Sequence, residues 1–389
     1  MRTIGVVTVA RSDWSIYQPI LQKIQGCSDL SLHLMVSGMH LSPEFGRTDK
    51  AIESEGFEIK ERVEMLLSSD SPEGISKSMG LGTISFAQIF SRFKPDILLV
   101  LGDRFEMLSA VIAAMPFTIP IAHLHGGETT EGVIDEAIRH SITKMSHLHF
   151  VSTEPYRQRI LQLGEEPWRV TVSGAPSLDN LHTIDFLSLS ELRKKIKIPL
   201  KVSPLLVTFH PVTLEYGDTS KHVTELLAAL NTLDLPIVFT YPNADTHGRL
   251  IMKAINQFLE IHPQAWAVAN LGTQLYFSLM KNAVAMVGNS SSGIIEAASF
   301  ELPVVNVGNR QQGRIRGSNV IDVGNERNLI SNGIKKAISP EFRVRLSGMV
   351  NPYGGGNAAS TITQVMQNIS LDQRLIKKRF YDISSEETR

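Results

Sequence analysis

Cysteine is nearly missing from the chain: of 389 residues, only Cys27 is one. That excludes an internal disulfide and a cysteine-built zinc cage, and it fits a reducing compartment. Long apolar runs are missing too. Nowhere do about 18 apolar residues follow one another, the length needed to span a bilayer. The opening segment, MRTIGVVTVARSDWS, has Arg11 and Asp13 where a secretory leader needs small residues, so the expectation is a cytoplasmic protein. Charge of one sign is also scarce. The net charge of −1 offers no general attraction to nucleic acid or to an anionic membrane, so an anionic ligand must be met by local positive groups. The chain has no Walker motif, no G-x-G-x-x-G fingerprint and no His-Glu-x-x-His pair.

What is present is an ordinary globular composition, 42% hydrophobic and 20% charged, at a length that favours two domains. Short apolar runs alternate with amphipathic segments. Strands are expected at Ile4–Val9, Leu32–Val36, Ile97–Leu101, Ile119–His123, His149–Ser152 and Val170–Ser173, with helices such as Ile16–Ile24, Pro72–Phe93 and Phe105–Met115 between them. The pattern restarts at Leu205–Phe209, Ile237–Thr240, Trp266–Ala269, Ala285–Val287, Val304–Val307 and Val320–Asp322. Near-continuous apolar strands suit parallel sheets buried on both faces. The expected fold is α/β, with two Rossmann-like doubly wound domains facing a cleft, joined within residues 177–204. Ligands of such sheets sit at the carboxyl ends of strands, so the strand-to-helix turns carry the functional candidates.

Each turn has a plain reading and a functional one. In VARSDWS, Ser12 or Asp13 can cap the next helix, or Arg11 and Ser15 can belong to an anion site. SGMH offers His40, a residue more often structural than catalytic. In LGDRFE, Asp103 is either a helix cap or an acid/base group at a strand end. The stretch HLHGGETTEGVIDEAIRHSITKMSHLHF holds five of the twelve histidines, together with Glu128, Asp135 and Arg139. Gly126-Gly127 permits a tight turn. Asp135 and Arg139, four apart on a helix, can pair. A metal centre is not expected, because neither a dense carboxylate set nor a helical His pair accompanies the histidines.

In the second half, VTFHPVT places His210 after a strand, and YPNADTHGR offers Asn243, Asp245 and Arg249 in a strand-end loop. The segment VGNSSSGIIE has Ser290 and Ser291 in a glycine- and hydroxyl-rich turn, whose N–H and O–H groups can cradle phosphate. Glu296 can accept two ribose hydroxyls, while Arg310, Arg314 and Arg316 can meet phosphate charge. The plain alternative is a capped helix with solvated arginines.

Together RSDWS, SGMH, LGDRFE, HGGE, DEAIRHSITKMSHLHF, FHPVT, GNSSSGIIE and NVGNRQQGRIRG resemble the hydrolysing UDP-N-acetylglucosamine 2-epimerase family, in family order from residue 5 to about 320. Two departures stand out. The chain has VARSDW where many relatives have Gly-Ser/Thr-Arg-Ala-Asp/Glu-Tyr, and His125 precedes the Gly-Gly pair where animal relatives can have glutamate. The resemblance implies a glycosyltransferase-B-like fold. Residues 1–178 would carry the sugar site and catalytic carboxylates, residues 179–362 would hold UDP, and residues 363–389 would include a helix, Thr363–Lys378, crossing back to the first domain. It also implies a homodimer or homotetramer acting on a UDP-sugar, with neither metal nor cofactor.

The implied reaction breaks the bond between carbon 1 and oxygen, removes the carbon 2 proton to give a 2-acetamidoglucal, and hydrates that glycal with inversion at carbon 2. Asp103 and Glu128 are the expected acid/base pair, with Asp135, oriented by Arg139, in support. His210, Arg11, Ser290, Ser291 and Arg310 are candidates for diphosphate contact and charge stabilisation, with His210 counted among the catalytic residues. Ser15, His40, Asn243 and Glu296 complete the expected substrate shell. N-acetylmannosamine for sialic-acid-type synthesis is the main product expected, and the same reaction on UDP-2,4-diacetamido-2,4,6-trideoxyglucose is the nearest alternative. A non-hydrolysing epimerase, a glycosyltransferase and a nucleotide-sugar sensor are more distant ones.

Overall fold

The computed structural model describes residues 1–131, 133–242, 247–268 and 271–383. The chain forms two compact units. The first comprises Met1–Glu128, Asp135–His182 and the chain from Tyr353 onward; the second comprises Thr129–Ile134 and Thr183–Pro352. The expected boundaries at 178 and 363 therefore move to 182 and 353, and a short excursion, Thr129–Ile134, is assigned to the second unit.

The strands of the first unit are β1 (Arg2–Thr8), β2 (Leu30–Ser37), β3 (Ile59–Val63), β4 (Ile97–Leu101), β5 (Ile121–Leu124), β6 (Leu148–Val151) and β7 (Val170–Val172). They form one parallel sheet in the order β3-β2-β1-β4-β5-β6-β7. The second unit has β8 (Leu205–Thr208), β9 (Ile237–Thr240), β10 (Ala265–Val268), β11 (Ala285–Gly288), β12 (Val304–Val307) and β13 (Val320–Val323), in the parallel order β10-β9-β8-β11-β12-β13. Both sheets reverse direction of growth between their first strand and the fourth, at β1/β4 and at β8/β11. Such switch points open a crevice at the strands' carboxyl ends.

The central strands read as they do because both faces are covered. All five residues of β4, Ile-Leu-Leu-Val-Leu, are buried, each worth roughly 1.5–3 kcal/mol. In the second unit Leu205, Val207, Ala285, Val287, Val305 and Val307 pack with Val223, Leu226, Ile251, Ile330 and Ile334 from the helices into one core. β3 was not expected. Its sequence, IKERV, buries only its two ends and pairs on one side alone, with β2, so its charged middle meets solvent at the sheet edge. Asn243, Asp245 and the expected strand end Ala269 lie outside the described residues.

The C-terminal segment departs from the expected single helix. Two helices, Ala358–Asn368 and Gln373–Ile376, replace Thr363–Lys378. Asp179 accepts from the backbone N–H of Asn357, Ala358 and Ala359 at 2.7, 2.9 and 2.7 Å, which satisfies orphan donors at the helix start. Asp372 caps the second helix. Arg169 then donates to the carbonyls of Leu375 and Arg374, at 2.9 and 2.8 Å, fastening the returning chain to the first unit. Among the described residues no helix is long and apolar enough to cross a membrane.

Candidate active site

In the first unit the carboxyl ends of β1, β4 and β5 carry the chemistry. Gly102, with φ +70°, turns the chain at the end of β4. The N-cap of the following helix is Arg104, so Asp103 is not the cap. Its carboxylate instead meets the guanidinium of Arg139. Arg139 is 1% exposed and also donates through Nη1 to the carbonyl of His125 at 2.9 Å, so one guanidinium spans the turns after β4 and β5. The same Nη1 lies 4.0 Å from Glu128 Oε2. Asp135, expected to be oriented by Arg139, stands half-buried in the first turn of the helix Asp135–Met145.

Glu128 is 1% exposed. Its Oε1 lies 2.5 Å from Nδ1 of His125 and 3.1 Å from the hydroxyl of Ser152. The two glycines between His125 and Glu128 are there for space and conformation. A Cβ on Gly127, whose φ is +74°, would lie 2.4 Å from the Tyr156 carbonyl oxygen. His125 itself is left-handed, with φ +60°, a conformation that costs a β-carbon residue roughly 1–2 kcal/mol. His123 sits between the Gly102 carbonyl and the Thr143 hydroxyl, at 2.8 and 3.2 Å, and burial holds its pKa down at about 3. His149 faces Glu165 at 3.1 Å. The histidines of this stretch thus have separate partners, and no group of three or more His, Cys, Asp or Glu among the described residues could hold a metal ion.

After β1, Asp13 does the capping: its carboxylate accepts from the backbone N–H of Val9 and Ala10 at 2.9 and 3.0 Å. Burial pushes the Asp13 pKa up. Arg11 is half-buried; burial pulls its pKa down, and its Nε has no hydrogen-bond partner among the described residues. The Ser15 hydroxyl turns back to the carbonyl of Ser12 at 3.3 Å. His40, expected at the substrate, is a structural histidine instead. It is 0% exposed, its Nε2 is 2.9 Å from the Thr8 hydroxyl and its Nδ1 is 2.7 Å from that of Thr48. Burial lowers its pKa to about 3.

In the second unit the matching switch point is set by an amide, hydroxyls and backbone groups, with Glu296 and Arg310 beside them. Gly288, with φ +133°, ends β11, and a Cβ there would lie 1.9 Å from the Thr208 carbonyl oxygen. Asn289 then locks the ends of β8 and β11 together: it accepts from the His210 backbone N–H at 2.7 Å and donates to the His210 carbonyl at 2.9 Å. Ser290 caps the short helix Ser291–Ile295, and Glu296, 6% exposed, closes that helix. Arg310 and Gln311 reach across from the turn after β12 to the Asn289 carbonyl, at 3.2 and 2.8 Å. Arg314 and Arg316 are engaged elsewhere. Arg314 donates to the Thr129 carbonyl at 3.1 Å, and Arg316 pairs with Asp322 at 2.7 Å. Of the three arginines, Arg310 is the one standing at the serine turn.

Four residues escaped sequence reasoning. His125 and Ser152 hold Glu128, Asn289 sets the His210 turn, and Tyr276 joins the serine turn through Ser290, Ser292 and Thr208. Burial pushes the Tyr276 phenol up to about 12. The Gly-Gly pair after His125 was the available signal for the first of them; Ser152 and Tyr276 have no local signature.

Residues 22–367 match the family model described as UDP-N-acetylglucosamine 2-epimerase. The chain is 42% identical, over 98% of its length and 99% of the relative's, to the GDP/UDP-N,N'-diacetylbacillosamine 2-epimerase (hydrolyzing) of Campylobacter jejuni. It is 34% identical, over 97% of its length and 99% of the relative's, to the UDP-N,N'-diacetylbacillosamine 2-epimerase (hydrolyzing) of Legionella pneumophila. Among solved structures, UDP-GlcNAc 2-epimerase from Neisseria meningitidis bound to UDP-GlcNAc superposes with a TM-score of 0.80, covering 94% of this chain and 99% of that one at 19% identity. The glycosyltransferase-B-like pair of parallel-sheet α/β domains is thus the fold, and the chain belongs to the UDP-N-acetylglucosamine 2-epimerase family of enzymes.

Proposed function

We propose that the protein is a hydrolysing 2-epimerase of UDP-N,N'-diacetylbacillosamine, which is UDP-2,4-diacetamido-2,4,6-trideoxyglucose. The observation that carries the chemistry is the Asp103–Arg139–His125–Glu128 cluster at adjacent strand ends of the first unit. It supplies rigid proton-handling groups, which a pure nucleotide binder has no use for. The sugar is favoured by the two relatives of that name, each matched over nearly its whole length. This replaces N-acetylmannosamine formation from UDP-N-acetylglucosamine as the leading reading.

In this reading the first unit handles protons and the second holds the nucleotide. Arg11, Arg310, His210 and the hydroxyls of Ser290 and Ser291 meet the diphosphate as charge accumulates on the departing UDP. Glu296 accepts from the ribose hydroxyls. Asp103 and the Glu128 assembly make the proton transfers at carbon 2, with Asp135 in support. Departure of UDP accompanies removal of that proton, because the proton is only weakly acidic on its own. Water then gives its oxygen to carbon 1 and carbon 2 is reprotonated on the opposite face.

The test is incubation of the enzyme with UDP-N,N'-diacetylbacillosamine, its GDP analogue and UDP-N-acetylglucosamine in deuterated water, followed by proton NMR. The expected result is free 2,4-diacetamido-2,4,6-trideoxymannose plus UDP, with deuterium at carbon 2. Faster turnover of UDP-N-acetylglucosamine would reverse the choice of sugar. A nucleotide-linked product would point to non-hydrolysing epimerisation.

A further inference from the structure

Glu128 is poorly disposed to meet a carbon-bound proton itself. It is 1% exposed, and its Oε1 is already taken by His125 Nδ1 at 2.5 Å and by Ser152 at 3.1 Å. An ionised carboxylate only accepts hydrogen bonds, so with Glu128 ionised the short contact has Nδ1 carrying the hydrogen. In neutral imidazole that leaves Nε2 with a lone pair. Nε2 of His125 is buried and has no hydrogen-bond partner among the described residues. The ring is anchored from three sides. Its backbone N–H donates to the Phe150 carbonyl at 3.1 Å, its carbonyl accepts from Arg139 at 2.9 Å, and its left-handed φ of +60° is held by the Gly-Gly turn that follows. An imidazole fixed by a buried carboxylate through Nδ1, with Nε2 unengaged, is the arrangement that makes a histidine a proton acceptor.

We infer that His125 Nε2, rather than a Glu128 oxygen, is the atom that takes the carbon 2 proton, and that Glu128 is the positioning residue behind it. This rests on the 2-epimerase reading. In the elimination, the carbon 2–hydrogen bond breaks and its electron pair forms the carbon 1–carbon 2 double bond. The carbon 1–oxygen bond breaks with its pair leaving on UDP, and the proton goes to Nε2. The imidazolium so formed sits against the Glu128 carboxylate. On hydration the C1–C2 π pair takes a solvent proton at the opposite face of carbon 2 by way of Asp103, the water oxygen bonds carbon 1 and gives one of its protons to solvent, and the imidazolium returns its proton to solvent.

His125→Asn tests the atom assignment. Asparagine tolerates the left-handed backbone and keeps a donor where Nδ1 was, facing Glu128, but has nothing at Nε2. The expected result is a fall in kcat of about 10³-fold with KM within about threefold of wild type, the residual product still carrying deuterium at carbon 2. A fall in kcat of less than about tenfold would make His125 a mere orienter and overturn the assignment. Nitrogen-15 NMR of the histidine rings in the wild-type enzyme gives a second, activity-free reading. The Nδ1–H tautomer is expected for His125, and the Nε2–H tautomer would overturn the proposal even if the variant fails to fold. A wild-type protein with the expected tautomer but no turnover of any of the three nucleotide sugars would sink the functional reading instead.

Discussion

The two switch points have the same strand order and opposite chemistry. In the first unit, charged side chains hold one another: Arg139 takes Asp103 and the His125 carbonyl, His125 takes Glu128, and Arg104 takes Glu106 in a buried bidentate pair at 3.1 Å. In the second unit the turn is set by an amide, hydroxyls and backbone groups, with Arg310 bonded to a neutral carbonyl. Proton transfer needs groups locked in orientation, and mutual ion pairs lock them. Holding a diphosphate needs cations and N–H groups at a turn of suitable shape. One fold repeated along the chain has thus been filled in two ways.

The strongest attack on this contrast is Arg139→Leu. Removing one buried guanidinium leaves Asp103 and the His125 carbonyl without it, an expected loss of about 3–5 kcal/mol in urea unfolding and of essentially all turnover. A stable, active variant would mean that the first cluster is not interlocked. Next, Asp103→Asn should cut kcat about 10³-fold while calorimetry finds UDP affinity within about threefold of wild type, if as proposed the first unit handles protons and the second the nucleotide. Parallel loss of both would blur the distinction.

Acid sensitivity is a smaller effect. His40 and His123 are buried neutral with pKa values near 3, below the ordinary value of 6.5. The unfolded chain therefore binds more protons than the folded one between these values, and stability falls as pH drops below about 6.5, until about 3. Between pH 7 and 5 the expected loss is roughly 2 kcal/mol per histidine, read from urea midpoints; a flat profile would mean that other groups offset it. Smallest is Glu296→Ala. UDP affinity should weaken about tenfold, and unchanged affinity would remove Glu296 from the nucleotide site.

Much of the scaffold was legible beforehand. The apolar runs marked, to within a few residues, twelve of the thirteen strands among the described residues, because a parallel strand covered on both faces must be apolar throughout. β3 was invisible because an edge strand can be charged. The single C-terminal helix that the resemblance implied was wrong because the first helix ends at Asn368 and Asp372 caps a new one. In the site, residue types at strand ends were readable but partners were not. The bond from Arg139 to Asp103, on another strand's turn, could not be read from the spacing of one helix. His40 lies at a strand end like the others, but two threonines close over it.

By itself, the sequence determined the α/β class, the approximate position of the apolar strands and the need for glycine at the tight turns. These depend on nearest-neighbour sterics and on the period of apolar residues, which are local properties. Only the tertiary structure decided which strand ends lie side by side, and with that the pairing of Arg139 with Asp103, the clasp of Asn289 on His210 and the burial of Glu128 behind His125. Strand order is set by how the helical crossovers pack onto the sheet, over separations of tens of residues, and no local pattern carries that information.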